Sequence, residues 1–165
     1  MPLTAPSKST VPSGIAIRPA KLSDLDALVA LFADDSLGGH GDTTNPAALA
    51  QYRAAFERIV ASPNDDLYVA ETSTAVIGTI QTTLITSLTA RGASNLLIEA
   101  VQVRADMRGR GVGAQMIRFA VQKGREAGAR LIQLTSNAAR TDAHRFYERL
   151  GFDRSHVGFK KKLRD

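Results

Sequence analysis

The sequence predicts a mixed α+β fold, in which a mostly antiparallel sheet of roughly six to seven strands is flanked by about four helices. Three observations lead to this fold class. Segments with helical and strand-like hydrophobic spacing alternate along the 165 residues, with no internal repeat or linker. Apolar residues make up 44% of the chain, which is typical of a folded globular domain. Cysteine is absent, so disulfides and cysteine-bound metals are excluded as sources of stability.

The composition also predicts the domain organisation. Residues 1–14 contain proline, serine and threonine but no apolar stretch long enough for a secretory signal, so we expect a disordered tail. Residues 15–165 show no shift in composition and are expected to form one domain. No window approaches about 18 uninterrupted apolar residues, so we expect no transmembrane helix and a cytoplasmic protein. The three histidines match no metal-ligand spacing, which disfavours a metalloenzyme.

The first half of the chain is predicted to form a strand, two helices and a hairpin. Alternation in IAIR predicts the strand, and Ser23 is a candidate N-cap for the first helix. A polar, glycine-rich loop separates the helices, and Gly78 in the hairpin marks a bulge or a close approach. The predicted order is strand 15–18, helix 23–33, loop 34–45, helix 46–60, and strands 66–72 and 76–86.

The second half is predicted to alternate between strands and helices. A nearly continuous apolar run predicts a strand that is covered on both faces. The next helix is closed by Gly128, and the last is capped by Thr141 or Asp142 and ended by Gly151. The predicted order is strand 95–103, a glycine-rich loop, helix 112–127, strand 131–135, helix 141–150 and strand 157–162.

The segment VQVRADMRGRGVGAQM, residues 101–116, carries the strongest functional signal. A strand runs through a glycine-rich loop into a helix, and backbone N–H groups at a helix N-terminus bind anions, phosphate above all. The pattern G-x-x-x-x-G-K-[ST] is absent, and G-x-G-x-x-G is broken by Met116. A P-loop ATPase and a Rossmann dehydrogenase are therefore disfavoured.

Residues 108–113, RGRGVG, resemble the R/Q-x-x-G-x-G/A loop of the GNAT family of acetyl-CoA-dependent N-acetyltransferases. The preceding IEAVQV, residues 98–103, resembles that family's fourth strand. The segment AHRFYERLGF, residues 143–152, resembles its second cofactor motif. The order of predicted elements is also similar, so the resemblance covers about residues 15–162 and leaves only the tail outside it.

This resemblance implies a site for acetyl-CoA. Val101 and Val103 would pair through their backbones with the pantetheine arm, and Asn137 and Phe146 would belong to the second cofactor motif. Alternatively, the glycines pack helix against strand, the arginines are merely solvated, and Asn137 caps a turn. The residues implied to hold the pyrophosphate are Arg108, Gly109, Arg110, Gly111, Val112 and Gly113.

Acetyl transfer to an amine needs a neutral amine, a stabilised oxyanion and a proton for the departing thiolate. Without cysteine, we expect direct attack by the amine in a ternary complex. Glu99 is a candidate base, or only a binder of the cationic amine, and alternation places it on one face with Val101 and Val103. Tyr147 resembles the family's tyrosine acid, although a core aromatic is the alternative.

Acceptor recognition is less defined by the sequence. The resemblance implies that the loop with Asp34 and Asp35 borders the acceptor cleft. They are candidate substrate-binding residues that attract an ammonium group, unless they are simply solvated or cap a helix. A non-catalytic acyl-CoA-binding regulatory module is the main alternative function. The net charge of +5 also suggests nucleic-acid binding, which the low aromatic content of 5% disfavours. The expected partners are acetyl-CoA and an amine, without a membrane, and a homodimer is left open.

Overall fold

The computed structural model describes residues 14–35 and 40–163, and within them a five-stranded sheet forms the centre of the fold. Neighbouring strands are antiparallel except for the last two, which run parallel. The mixed α+β class is confirmed, whereas the predicted count of six to seven strands is corrected to five for these residues. In spatial order the strands are β1 Ala16–Pro19, β2 Asp65–Glu71, β3 Val76–Thr86, β4 Ser94–Val103 and β5 Leu131–Leu134.

Helices cover both faces of this sheet. The segment α3 is a single turn in which Ala90 and Arg91 have left-handed φ values of 50° and 61°. No helix in the described part of the chain is long and apolar enough to cross a membrane. The helices are α1 Leu25–Ala33, α2 Leu49–Ala61, α3 Thr89–Gly92, α4 Val112–Glu126 and α5 Thr141–Arg149, with short 3-10 turns at Leu22–Asp24, Pro46–Ala48 and Ala105–Met107.

The two core clusters lie on opposite faces of the sheet, as the period of a β-strand requires. On β2, Val69 packs with α1 and α2, whereas its neighbours Tyr68 and Ala70 pack with α4. Val69 and Ala70 are fully buried. The helices on either side are therefore fixed to one sheet, and the loops at the strand ends are held between them.

A buried ion pair fixes the start of α1. The Asp24 carboxylate accepts hydrogen bonds from the backbone N–H of Lys21 at 2.7 Å and from the Arg18 guanidinium at 2.7 and 3.0 Å. Arg18 also donates to Glu71 at 2.7 Å. The pairing with Arg18 lowers the pKa of Asp24. The prediction of Ser23 as the N-cap is wrong, because this residue lies inside the 3-10 turn that precedes α1.

The two ends of the chain differ from the prediction in different ways. The predicted tail, residues 1–14, lies outside the described residues except for Gly14. The predicted strand at 157–162 is wrong, because no strand forms between 152 and 163. Its two large apolar side chains, Val157 and Phe159, are 80% and 93% exposed, and three consecutive lysines follow them. The segment buries too little apolar surface to join the sheet.

Candidate functional site

A bulge in β4 opens the sheet beside the candidate site. Strand β4 has two residues, Ala100 and Val101, where β3 has only Ile80. Ala100 has a left-handed φ of 51°, which is unusual for a residue with a side chain. The parallel pairing of β4 with β5 ends just before the bulge, at Ile98 and Leu134. Beyond this point β4 continues to Val103 along β3 but has no strand partner on the β5 side.

A cavity of about 650 Å³ lies at this opening. Its volume falls within the range of small-molecule sites in proteins. Four parts of the chain form its walls: the end of β4, the glycine-rich loop with the first turns of α4, the segment around α5, and the residues after α1. The lining side chains and backbone come from Asp34, Asp35, Val101, Gln102, Val103, Met107, Arg108, Gly109, Gly111, Val112, Gly113, Ala114, Arg118, Arg140, Phe146, Tyr147, Arg149 and Leu150.

One end of the cavity has the character of an anion site. Gly109 and Gly111 adopt left-handed φ values of 71° and 81°, which turn the loop sharply into α4. The first helical hydrogen bond of α4 runs from the N–H of Gln115 to the carbonyl of Gly111 at 3.0 Å, and N–H groups before it have no helical acceptor. Arg108 and Arg118 add positive charge to this wall. The helix dipole and these cations together favour a phosphate.

The loop is anchored to its surroundings through Arg108. Its Nε donates to the carbonyl of Val103 at 3.0 Å, and its Nη2 lies 3.4 Å from an oxygen of Asp34. Arg108 is half exposed, so a part of the guanidinium stays accessible from the cavity. Arg108 is therefore held in position, and the contact with Asp34 leaves part of its positive charge available to a ligand in the cavity.

Close packing joins α4 to α5 at the cavity. A Cβ atom on Gly113 would lie 3.2 Å from Cζ of Phe146, so glycine allows the ring to approach the first turn of α4. The ring of Phe146 packs edge-to-face on Tyr147 with centroids 5.1 Å apart, and Tyr147 packs in the same way on Phe152 at 5.9 Å. The tyrosine is thus held in an aromatic cluster beside the anion site.

The surroundings of Tyr147 raise the pKa of its phenol. Burial raises its pKa above the ordinary value, and the positive charge of Arg140 opposes that effect. The phenol is therefore protonated at neutral pH and able to donate its proton to a group in the cavity.

A second charged group closes the cavity on the side of α1. The carboxylate of Asp35 accepts hydrogen bonds from Nε2 of Gln102 at 2.7 Å and from Nη1 of Arg140 at 3.1 Å. The Asp35 side chain is only 9% exposed. Asp35 was predicted from the sequence, whereas Gln102 and Arg140 were not. The polar Gln102 within an apolar strand was a usable signal, whereas nothing in the sequence marks Arg140.

Glu99 lies outside the cavity lining. It is exposed on β4, next to the buried Ile98. Val101 and Val103 pack against the cluster that contains Ile98, so Glu99 points to the other face of the sheet. The expected shared face is wrong, because the extra residue at Ala100 interrupts the alternation on which it depends.

Two predicted cofactor residues also lie beside the cavity and not in its lining. Asn137 accepts a hydrogen bond from the N–H of Ala139 at 2.9 Å through its side chain, and its carbonyl lies 2.9 Å from Nε2 of His144. Arg110 belongs to the loop but does not line the cavity. In the described ranges, no group of three or more histidine or acidic side chains is placed to hold a metal ion.

Comparison with known proteins gives a family match over most of the domain. The sequence profile described as the acetyltransferase (GNAT) family matches residues 25–152. An aminoalkylphosphonate N-acetyltransferase of Salmonella typhimurium is 44% identical over 66 residues, which are 40% of this chain and 43% of that protein. The match therefore spans less than half of that curated relative's length.

Solved structures match over nearly the whole chain. A transcriptional regulator of Bacillus halodurans C-125 is 37% identical, with a TM-score of 0.87, over 90% of this chain and 99% of that one. A proposed acetyltransferase of Agrobacterium tumefaciens C58 is 26% identical, with a TM-score of 0.77, over the same shares of 90% and 99%.

Proposed function

The chain belongs to the GNAT family of acetyltransferases, and on this premise we propose that it transfers an acetyl group from acetyl-CoA to the primary amine of a small molecule or peptide. The amine attacks the thioester directly in a ternary complex. One observation carries the proposal: a single cavity joins a helix N-terminal anion site to a partly buried, protonated Tyr147 where β4 and β5 separate. The same cavity therefore contains a phosphate site and a proton donor.

The pyrophosphate of the co-substrate fits the end of the cavity formed by the glycine-rich loop. We assign it to the backbone N–H groups of residues 109–113, with Arg108 as the nearest cation of the loop. The pantetheine arm would run along Val101 and Val103 and past Phe146, where β4 no longer pairs with β5. Arg110 and Asn137 would act from beside the cavity, Arg110 through its charge and Asn137 by holding the turn before α5.

Acetyl transfer requires protein groups at three atoms of the reactants: the carbonyl oxygen, the sulfur and the amine nitrogen. As the carbon–nitrogen bond forms and the carbon–sulfur bond breaks, a backbone N–H near Val101 would stabilise the oxyanion and Tyr147 would give its proton to sulfur. Glu99 would take the amine's proton through water, because it lies outside the cavity lining but on the same face of β4 as Gln102, which lines the cavity. Asp34, which is exposed, would attract the ammonium form of the acceptor at the other wall, and Asp35, already paired with Arg140, would add negative charge behind it.

The proposal is tested by following free thiol released from acetyl-CoA with a panel of primary amines. The panel includes an aminoalkylphosphonate, because a curated relative carries that activity, together with aminoglycosides, amino sugars and short peptides. We expect thiol release with at least one amine and a product heavier by one acetyl group. The variant Gly111→Val should weaken coenzyme A binding, because a side chain there intrudes on the phosphate site and strains a left-handed φ of 81°.

A regulatory acyl-CoA-binding module is the second candidate, because the similar Bacillus halodurans protein is described as a transcriptional regulator. Calorimetric binding of coenzyme A without thiol release for any amine would favour that module. Failure to bind coenzyme A at millimolar concentration would contradict both functions. We expect the protein to act in the cytoplasm and to need neither a membrane nor nucleic acid, and a DNA gel-shift assay tests for nucleic-acid binding. A homodimer is allowed, and light scattering tests for it.

A further inference from the structure

Arg140 occupies a fixed position between two functional groups of the cavity. It directly precedes α5, the helix that carries Tyr147, and both side chains line the same cavity. Its Nη1 donates to Oδ2 of Asp35 at 3.1 Å, and the same oxygen accepts from Nε2 of Gln102 at 2.7 Å. With its side chain only 9% exposed, Asp35 is an anchored carboxylate, tied to β4, that fixes the arginine.

Arg140 and Tyr147 line one cavity, and the positive charge of Arg140 favours the ionised form of the phenol. The rings that contact the tyrosine, Phe146 and Phe152, carry no charge. Burial raises the pKa of the Tyr147 phenol, and the charge of Arg140 lowers it. The other charged side chains that face this cavity, from the segment after α1, the glycine-rich loop, α4 and α5, are Asp34, Asp35, Arg108, Arg118 and Arg149.

We propose that Arg140, held in place by Asp35, stabilises the negative charge that develops on the Tyr147 oxygen as its proton moves to sulfur. The inference rests on the acetyl transfer proposed above. When the carbon–sulfur bond breaks, its electron pair goes to sulfur, and sulfur takes the phenolic proton. The guanidinium of Arg140, fixed by Asp35, stabilises the phenolate that remains until solvent returns a proton to it. Arg140 is then a positioning residue for the acid, and Asp35 holds it there.

The partial burial of the aromatic cluster around Tyr147 explains why a fixed charge is needed there. Burial removes water that would otherwise solvate a phenolate, so a buried tyrosine is a poor proton donor without a compensating charge. The guanidinium supplies that charge permanently, because arginine stays protonated at every relevant pH. The carboxylate at 3.1 Å prevents the long side chain from swinging into solvent.

The test measures the acidity of Tyr147 directly, in protein in which tyrosine is replaced by a fluorinated tyrosine. Ring fluorines acidify the phenol, so that its titration falls within the stable pH range, and fluorine NMR reports it. Tyr147→Phe identifies the resonance among the three tyrosines. We expect the pKa of Tyr147 to rise by about one unit or more in Arg140→Met. It should stay near the wild-type value in Arg140→Lys, which keeps the charge.

Two further variants separate positioning from charge alone. In Asp35→Asn the pKa of Tyr147 should rise, because the released Arg140 leaves the phenol. A fall would mean that Asp35 acts only as a negative charge and would overturn its assigned role. Arg145→Met is the matched control, because this arginine of α5 is exposed and pairs with Asp142 outside the cavity. It should leave the titration unchanged.

Activity provides the second measurement. With an accepted amine, Arg140→Met should lower kcat by roughly 10- to 100-fold with little change in KM, and Arg140→Lys should restore most of it. An unchanged Tyr147 titration in a folded Arg140→Met, or in Arg140→Gln if the first variant fails to fold, overturns the inference. The titration needs no substrate, so it remains decisive if no amine is acetylated and the proposed function fails.

Discussion

Gly78 on β3 is the position where an added methyl group should do most damage to the support of the site. An ideal Cβ there would lie 3.0 Å from the backbone oxygen of Gln102 and 3.1 Å from both Cε and Sδ of Met116. Carbon atoms pack best at about 3.5–4.0 Å, so each neighbour would have to move by roughly half an ångström. The oxygen belongs to β4 and Met116 is fully buried, so neither yields freely.

We expect Gly78→Ala to destabilise the fold by about 1–2 kcal/mol. Overpacking of a core costs about 1–3 kcal/mol, and the reduced freedom of the unfolded chain returns up to about 1 kcal/mol. For a chain of this size, each kcal/mol lowers the melting temperature by about 2–4 °C, which gives a decrease of roughly 2–8 °C. The affinity for coenzyme A should fall as well, because Met116 is on α4, whose first turns line the cavity.

Thermal and urea unfolding at pH 7 measure the loss. The matched control is Gly158→Ala, since a Cβ at Gly158 meets nothing within 4 Å and no left-handed φ is required there. A Gly78→Ala variant as stable as the wild type would show that Met116 repacks at no cost, and would refute the argument that glycine is needed for the approach of α4 to the sheet.

Three further predictions concern the buried acid, the proton donor and the candidate base. Asp24→Asn should cost about 1–3 kcal/mol at pH 7, because Arg18 and the Lys21 N–H lose their charged partner while Glu71 still pairs with Arg18. Since pairing lowers the pKa of Asp24, the wild type should lose this advantage as the pH falls below about 4, and equal urea midpoints at pH 7 would contradict the pairing. Tyr147→Phe should keep coenzyme A affinity in calorimetry while turnover falls roughly 10²- to 10⁴-fold, and wild-type turnover would make Tyr147 a packing residue. Glu99→Gln should depress kcat and flatten the acidic limb of the pH–rate profile, whereas a raised KM alone would assign Glu99 to acceptor binding.

The sequence was informative where one local signal decides the structure. The helix α4 begins at Val112, as predicted, because a left-handed glycine at its N-terminus leaves little choice of starting point. The strand 94–103 and the loop after it were also predictable, since a continuous apolar run and a cluster of glycines mark them.

The remaining features depend on contacts between distant residues. The bulge sits on Ala100, and alanine gives no sign of a left-handed φ, so simple alternation placed Glu99 on the wrong face. Arg140 lies 105 residues from Asp35, and no local pattern relates them. At the end of the chain, the alternation of Val157 and Phe159 is typical of a strand, but neither side chain is buried by a neighbour.

The pairing between β4 and β5 is short, and this should affect how easily the C-terminal part of the protein opens in a cell. Only four residue pairs join the two strands, and no residue of α5 is fully buried, so the C-terminal part is held by few contacts. Such a part opens locally long before the whole domain unfolds. A ligand that binds where β4 and β5 separate raises the free energy of this local opening in proportion to the logarithm of the ligand concentration. Amide exchange in residues 131–149 should therefore slow as acetyl-CoA is added, and resistance to proteolysis would follow the supply of the acetyl donor.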